Sequence, residues 1–304
     1  MPLLHPQLEA FIAVIEEGSF DRAAKRLFIT PSALSQRVRA LEDRLGAVLV
    51  RRETPAAATA AGEKLLMRAN AMRLLEGEAL SDFAGFSTAA AEPAAQRLPI
   101  LINNDSLATW FPDVLIDFAA HERVAFDIRT DDQDHALESL KNGSAVAVVT
   151  SSASPIPGAR VRALGAMRYV AVASPAFGRK LAAAPERLQE LVREAPMLAF
   201  DRKDELQLRF LEAIGIARDD FKGIVHYMPS PTAMVEASAR GLGWSMAPLS
   251  LAKSWLDRGA AAVVAPDHPV DVHLYWQCAA IRSTLLERLT EAVLRASARH
   301  LEVR

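Results

Sequence analysis

The sequence predicts a multi-domain protein: a mostly α N-terminal head built around a helix-turn-helix, a long connecting helix, and a larger α/β domain. Three observations carry this. Three short amphipathic helices with capping signals follow one another between Leu8 and Gly46, the one strong basic cluster lies over them, and from Leu98 onward short apolar runs alternate with helical stretches. The 304 residues exceed the roughly 100 to 200 of an ordinary compact unit. Hydrophobic residues at 51% with 24% charged residues exclude wholesale disorder. Lys+Arg 35 against Asp+Glu 37 makes the whole molecule no polycation, so any nucleic-acid site must be local.

Leu8, Phe11, Ile12 and Ile15 recur at i, i+3, i+4 and i+7, so a first helix buries one stripe and stops at Gly18. Ser19 can cap a second helix over 20–27 that hides Ala23, Ala24 and Leu27 and shows Arg22, Lys25 and Arg26. After the link Phe28-Ile29-Thr30, Thr30 caps a third helix and Pro31 suits its first position, where a missing N–H is harmless. This helix ends at Gly46. Leu34, Val38, Leu41 and Leu45 form its buried face, which places Ser32, Gln36, Arg39 and Asp43 opposite. Between Arg22 and Arg52 eight basic residues stand against Glu42 and Asp43, a local net of +6. Such a pair of helices suits DNA reading, with Gln and Ser reaching base edges and Arg and Lys holding phosphates. Helix pairs of this kind also serve as packing units, and a charge run is often only a solvated face.

Phe20-Asp21-Arg22-Ala23-Ala24-Lys25-Arg26-Leu27, Thr30-Pro31-Ser32-Ala33-Leu34-Ser35-Gln36, Leu41-Glu42, Leu45-Gly46 and Leu49-Val50-Arg51-Arg52 together resemble the winged helix-turn-helix of LysR-type transcriptional regulators. The resemblance implies a wing over 48–58 with Arg51 and Arg52 on the DNA backbone or in the minor groove. It makes Arg22, Thr30, Pro31, Ser32, Ser35, Gln36, Arg37, Arg39, Arg51 and Arg52 the expected DNA-binding set within a domain spanning 1–58. Thr59-Ala60-Ala61-Gly62-Glu63 resembles the family's entry to a linker helix, here 59–84. Leu65, Ala69, Met72, Ala79 and Phe83 make a heptad-like seam interrupted by Glu76, which suits pairing with a second copy; the alternative is a helix lying on its own domain. The stretch 85–96 lacks apolar periodicity and reads as a hinge.

In the domain over 97–304 strands are expected at 98–103, 125–130, 145–150, 167–173, 197–200, 223–225, 244–248 and 270–276, largely parallel. Ligands of open α/β sheets bind beyond the carboxyl ends of strands. There the sequence is polar: Asn103-Asn104-Asp105-Ser106, Asp131-Asp132, Thr150-Ser151-Ser152 and Asp201-Arg202-Lys203-Asp204. Asn104-Asp105-Ser106-Leu107-Ala108-Thr109-Trp110, with Phe200 to Gln207, Gly241 to Met246 and Leu274-Tyr275-Trp276-Gln277, resembles the lysine/arginine-export regulator branch of the same family. That resemblance implies two periplasmic-binding-protein-like lobes, lobe I over about 97–165 and 267–304 and lobe II over about 166–266, with an amino acid between them. A basic amino acid needs donors for its carboxylate and acidic acceptors for its cations. Ser106 and Thr109 are the expected donors; Asp105, Asp132, Asp201 and Asp204 are the expected acceptors, although Asp after a strand is often a turn residue. Thr150 joins the set, and Trp110 either walls the cleft or fills the core. Pro157-Gly158-Ala159 departs from the Gly-Cys expected in many relatives.

Chemistry of other kinds finds no footing. Cys278 is the single cysteine, no His-Glu-x-x-His spacing occurs, and Gly241-Leu242-Gly243 lacks the third glycine of a dinucleotide fingerprint. No enzyme, metal or cofactor is expected beyond a small effector, L-lysine or L-arginine. The start of the chain lacks the pattern of a secretion signal, and no run reaches the ~18 apolar residues of a membrane span, so a cytoplasmic, nucleoid-associated protein is expected. The expected partners are double-stranded promoter DNA, the effector, a second copy or three more copies of the chain, and RNA polymerase, with the chain activating an amino-acid exporter gene. The alternatives are a regulator of the same type sensing another small molecule, and a non-specific chromosome-binding protein that modulates replication.

Overall fold

The computed structural model describes residues 3–83, 95–130 and 138–302. The head is formed by α1 (Pro6–Glu17), α2 (Phe20–Arg26) and α3 (Pro31–Leu45), closed by an antiparallel wing of β1 (Val50–Arg51) and β2 (Ala57–Ala58). The capping signals act locally. Thr30 Oγ1 accepts from Ala33 N–H at 3.2 Å, Ser19 Oγ accepts from Arg22 N–H at 3.4 Å, and Gly18 and Gly46 end their helices at φ of +58° and +63°, a conformation glycine adopts without a Cβ penalty. Leu8, Phe11, Ile12, Ala23, Ala24, Leu34, Val38 and Leu41 close one core. Leu45, expected on the same face, is exposed on the last turn of α3.

The linker helix α4 (Ala60–Asp82) is capped by Thr59, whose Oγ1 accepts from Gly62 N–H at 3.1 Å. The expected seam splits. Ala69 is fully buried in the head's own core and Leu65 packs against that core, whereas Met72 and Phe83 are 52% and 68% exposed. Another side of α4 rests on the second domain: Asn70 Nδ2 donates to Gly143 O at 2.5 Å, and Glu78 accepts from Ser283 Oγ and, at 2.8 Å, from Leu285 N–H. Of the expected hinge over 85–96, residues 85–94 lie outside the described residues; Gln96 already belongs to a strand and donates from Nε2 to Leu74 O at 2.7 Å.

The second domain runs β3 (Gln96–Leu101), α5 (Asn104–Ala108), α6 (Phe111–Ala119), β4 (Val124–Arg129), β5 (Ala147–Thr150), β6 (Ala159–Ala173), α7 (Pro175–Ala183), α8 (Leu188–Glu194), β7 (Met197–Ala199), α9 (Leu206–Ala213), β8 (Val225–Tyr227), α10 (Pro231–Ala239), β9 (Trp244–Pro248), α11 (Leu249–Asp257), β10 (Ala262–Val263), β11 (Val270–Ala279) and α12 (Thr284–His300). The strands form one continuous sheet of order β4-β3-β5-β11-β6-β9-β7-β8, with β10 on β6. β3 is parallel to β4 and β5, and β7 to β8 and β9, which gives each lobe a parallel set. The expectation of a largely parallel sheet needs correction. β6 and β11 are antiparallel to each other, and every other pairing they make is antiparallel too, because these two long strands pass between the lobes rather than return through a crossover helix. Where they cross, the register shifts between Leu274 and Tyr275 opposite Gly165, whose φ is +124° and whose Cβ, if it had one, would lie 2.9 Å from Glu302 O. The strand expected at 223–225 begins at Val225 instead. Gly223 lies against Ala195, where a Cβ would come within 2.1 Å of the carbonyl oxygen, so this glycine serves close backbone approach. Among the described residues, no helix is long and apolar enough to cross a membrane.

Candidate functional site

Two surfaces carry the chemistry-bearing side chains. On the head, α3 shows Ser32, Gln36 and Arg39 to solvent, while Ser35 and Arg37 are half-buried. Thr30 and Pro31 are exposed at its start, one capping and one filling the first turn. The basic residues around it divide into two groups. Arg26 is committed inward, 2.6 Å from Glu16 and 3.2 Å from Glu17. Burial works to raise the pKa of Glu16, but the hydrogen bonds and charges of Arg73 and Arg26 outweigh it and hold the carboxyl below its usual range. Arg22 bonds the Glu17 carbonyl, Arg51 lies 3.2 Å from Glu53, and the Arg52 guanidinium sits 4.9 Å from the centre of the Phe20 ring, which pins the wing to α2. Arg22, Arg51 and Arg52 remain exposed, as do Lys25 and Arg39, so the basic surface surrounds the polar face of α3.

If the polar face of α3 reads bases and the basic surface around it holds phosphates, substitutions separate the two roles. Gln36→Ala is expected to weaken binding to a cognate duplex by roughly 1 to 3 kcal/mol while leaving random DNA nearly unaffected. Arg51→Ala is expected to weaken both and to lower the salt slope by about one unit, the share of one phosphate contact. Fluorescence anisotropy titrations at several salt concentrations measure both; equal losses for Gln36→Ala on the two duplexes would remove it from the reading set.

The second surface lies beyond the carboxyl ends of β3 and β7. Asp105, on the short helix after β3, accepts a hydrogen bond at 2.7 Å from the hydroxyl of Tyr169, a residue of β6. Part of the residue reaches the surface, but its carboxyl is enclosed: burial pushes its pKa up to about 6, the Tyr169 hydrogen bond opposes this, and the negative charge of Asp204 adds to it. The Tyr169 phenol is raised as well, by burial first and then by Asp105. Asp204 holds its own loop, Oδ2 accepting from Phe200 N–H at 2.9 Å and Oδ1 from Leu206 N–H at 3.1 Å. The charge of Asp204, from the other lobe, therefore acts on Asp105 and on the Tyr169 phenol beside it.

The remaining expected residues fall differently. Ser106 is fully buried and its hydroxyl has no hydrogen-bond partner among the described residues, whereas the Thr109 hydroxyl donates to the carbonyl of Asp105 at 2.6 Å. Trp110 is 1% exposed and packs edge-on against Phe111, so it fills the core of its lobe rather than walling a cleft. Asp201 is exposed and accepts from Lys203 N–H at 2.7 Å as a turn residue, and the buried Thr150 turns its own loop by accepting from Ser152 N–H. Asp132 lies outside the described residues. Tyr169 was missed in sequence because a tyrosine in an apolar strand reads as core; an aromatic with a polar tip in a strand that crosses between lobes was the available signal.

Residues 5–63 match the model of the bacterial regulatory helix-turn-helix proteins of the lysR family, and residues 91–298 match that of the LysR substrate binding domain. The chain is 41% identical over 302 residues to the HTH-type transcriptional regulator LysG of Mycobacterium tuberculosis, covering 96% of this chain and 93% of that relative. It is 36% identical to the HTH-type transcriptional regulator ArgP of Pseudomonas fluorescens, with 97% of both chains covered. Among solved structures it is similar to ArgP from Mycobacterium tuberculosis (40% identity, TM-score 0.80, 99% of this chain and 100% of that one) and to full-length LysG from Corynebacterium glutamicum with bound effector Arg (35%, 0.75, with the same coverage).

Proposed function

This chain belongs to the LysR family of DNA-binding transcriptional regulators, not an enzyme family, and on that premise we propose that its effector is a basic amino acid, arginine or lysine, held between the lobes against Asp105 and Asp204. One observation carries the reading: a carboxyl enclosed at the end of β3, raised in pKa, hydrogen-bonded to a neutral phenol and repelled by a second acid across the lobes. A guanidinium or ammonium placed there would satisfy both acids at once and draw the lobes together. The buried Ser106 hydroxyl supplies a donor for the effector's carboxylate. The Corynebacterium glutamicum relative solved with bound Arg supports the same ligand class.

The regulated gene in this proposal encodes an amino-acid exporter, activated through RNA polymerase by a dimer or tetramer in the cytoplasm at the nucleoid. An effector moves such a regulator only by its different affinities for two conformations, and the contact of one ligand cation with acids from both lobes provides that difference. Calorimetry with arginine, lysine and norleucine tests the reading. Norleucine, which lacks the terminal cation, is expected to bind about 10- to 100-fold more weakly, the worth of roughly 1.5 to 3 kcal/mol for hydrogen bonds to a charged group. Equal binding of norleucine would sink the acidic site, and binding of neither basic amino acid would sink the ligand class.

A further inference from the structure

The turn between α2 and α3 carries a residue that the stability of the head does not explain. Phe28 N–H donates to Lys25 O at 3.2 Å and Ile29 N–H to Ala24 O at 3.0 Å, the paired bonds that end a helix with one left-handed residue. That residue is Phe28, at φ +54°, and it is the one non-glycine residue at positive φ among the described residues. Gly18 and Gly46 take the same conformation at the ends of α1 and α3, where no Cβ opposes it. For a bulky aromatic it is an outlier. The ring recovers nothing by packing, since Phe28 is 95% exposed, more than any other large hydrophobic residue described. Its neighbours Leu27 and Ile29 both pack against the head core, so the ring is held out on the turn by the residues on either side of it.

The position of this ring is informative. Two residues later Thr30 caps α3, and Ser32 and Gln36 follow on the exposed face of that helix. Lys25 precedes it on the exposed side of α2. An apolar ring joined to a polar reading face and preceded by the exposed cation of Lys25 does not match an apolar groove on a partner protein. It matches a thymine methyl, an apolar group in a major groove flanked by phosphates. Strain of this kind persists where function requires the side chain.

We propose that Phe28 is a DNA-reading residue, its ring making apolar contact with the C5 methyl of a thymine at the edge of the major groove that α3 enters. The proposal rests on the reading of α3 as the groove-entering helix. Phe28→Gly is the test, because glycine suits φ +54° and separates the two roles by sign. The probe is a duplex that the wild-type chain enriches from a random pool, with a scrambled duplex as reference. Phe28→Gly is expected to melt at the wild-type temperature or above, to bind the selected duplex about tenfold more weakly, and to bind the scrambled duplex as wild type does. Replacing thymines singly by deoxyuridine should weaken wild type at one position and leave Phe28→Gly unaffected at that position. Phe28→Asn, which also tolerates the left-handed conformation, should repeat both results. Undiminished binding of the selected duplex by either variant, a lowered melting temperature in both, or a deoxyuridine effect equal in wild type and variant would overturn the proposal. A wild-type chain that enriches no sequence would overturn the reading of α3 itself, and this inference with it.

Discussion

Asp105→Asn is expected to weaken binding of arginine or lysine about tenfold or more, approaching the loss expected for norleucine, and in the same protein to raise the stability of the effector-free chain at neutral pH. The two effects have one cause. The carboxyl titrates near pH 6 in the folded chain against an ordinary 3.8, so folding favours its protonated form. The contribution of this group to stability is complete below the unfolded pKa and is lost as pH rises through the folded one. At pH 7 the ionised carboxylate therefore costs the folded chain up to roughly 3 kcal/mol, the energy of two pKa units. Asparagine keeps an acceptor for the Tyr169 hydroxyl and carries no charge. Its advantage in thermal unfolding should appear at pH 7 and fade toward pH 4, while wild-type affinity for arginine should fall as the pH is lowered through 6. An Asp105→Asn chain that is no more stable at pH 7 would show that the carboxyl is already solvated there. One that binds arginine as wild type does would place the effector elsewhere.

The parts of this molecule that were legible in sequence are those set by neighbours along the chain. Ser19, Thr30, Gly18 and Gly46 fix the ends of α1, α2 and α3 through bonds to residues within five positions, and the apolar spacing of Leu34, Val38 and Leu41 fixes which face is buried. Asp105 was legible by its place after a strand. Tyr169, 64 positions away, was not, because the pairing of the two is decided by how β6 crosses the sheet. The antiparallel course of β6 and β11 had a local signal that the reading of strands as short apolar runs passed over: Arg160-Val161-Arg162 and Val270-Asp271-Val272-His273-Leu274 alternate polar with apolar, the pattern of a part-exposed antiparallel strand. A heptad-like seam says that a stripe is covered without saying by which chain.

That ambiguity yields the second large effect. At about 100° per residue, Leu65, Ala69, Met72, Ala79 and Phe83 lie along one stripe of α4, with Leu75 at its edge. The head covers its first turns, burying Ala69 completely, and the stripe then runs out into solvent, with Met72 52%, Leu75 40% and Phe83 68% exposed. Glu76 still interrupts the stripe, and Leu75 lies on its flank. Lysine at two positions of the same stripe should therefore act in opposite ways. Ala69→Lys forces a long side chain and an unpaired charge into the head core, which is expected to destabilise the head by about 3 to 5 kcal/mol and to remove DNA binding with it. Met72→Lys meets no such core. It should leave thermal unfolding within about 0.5 kcal/mol of wild type yet dissociate the oligomer at micromolar concentration, because the charge is buried only when a second helix covers the stripe. Sedimentation velocity and thermal melts on the two variants separate the cases. An intact oligomer for Met72→Lys would show that the exposed half of the stripe is not the face on which two copies meet, and a stable head for Ala69→Lys would mean that α4 leaves the head more easily than its buried contacts imply.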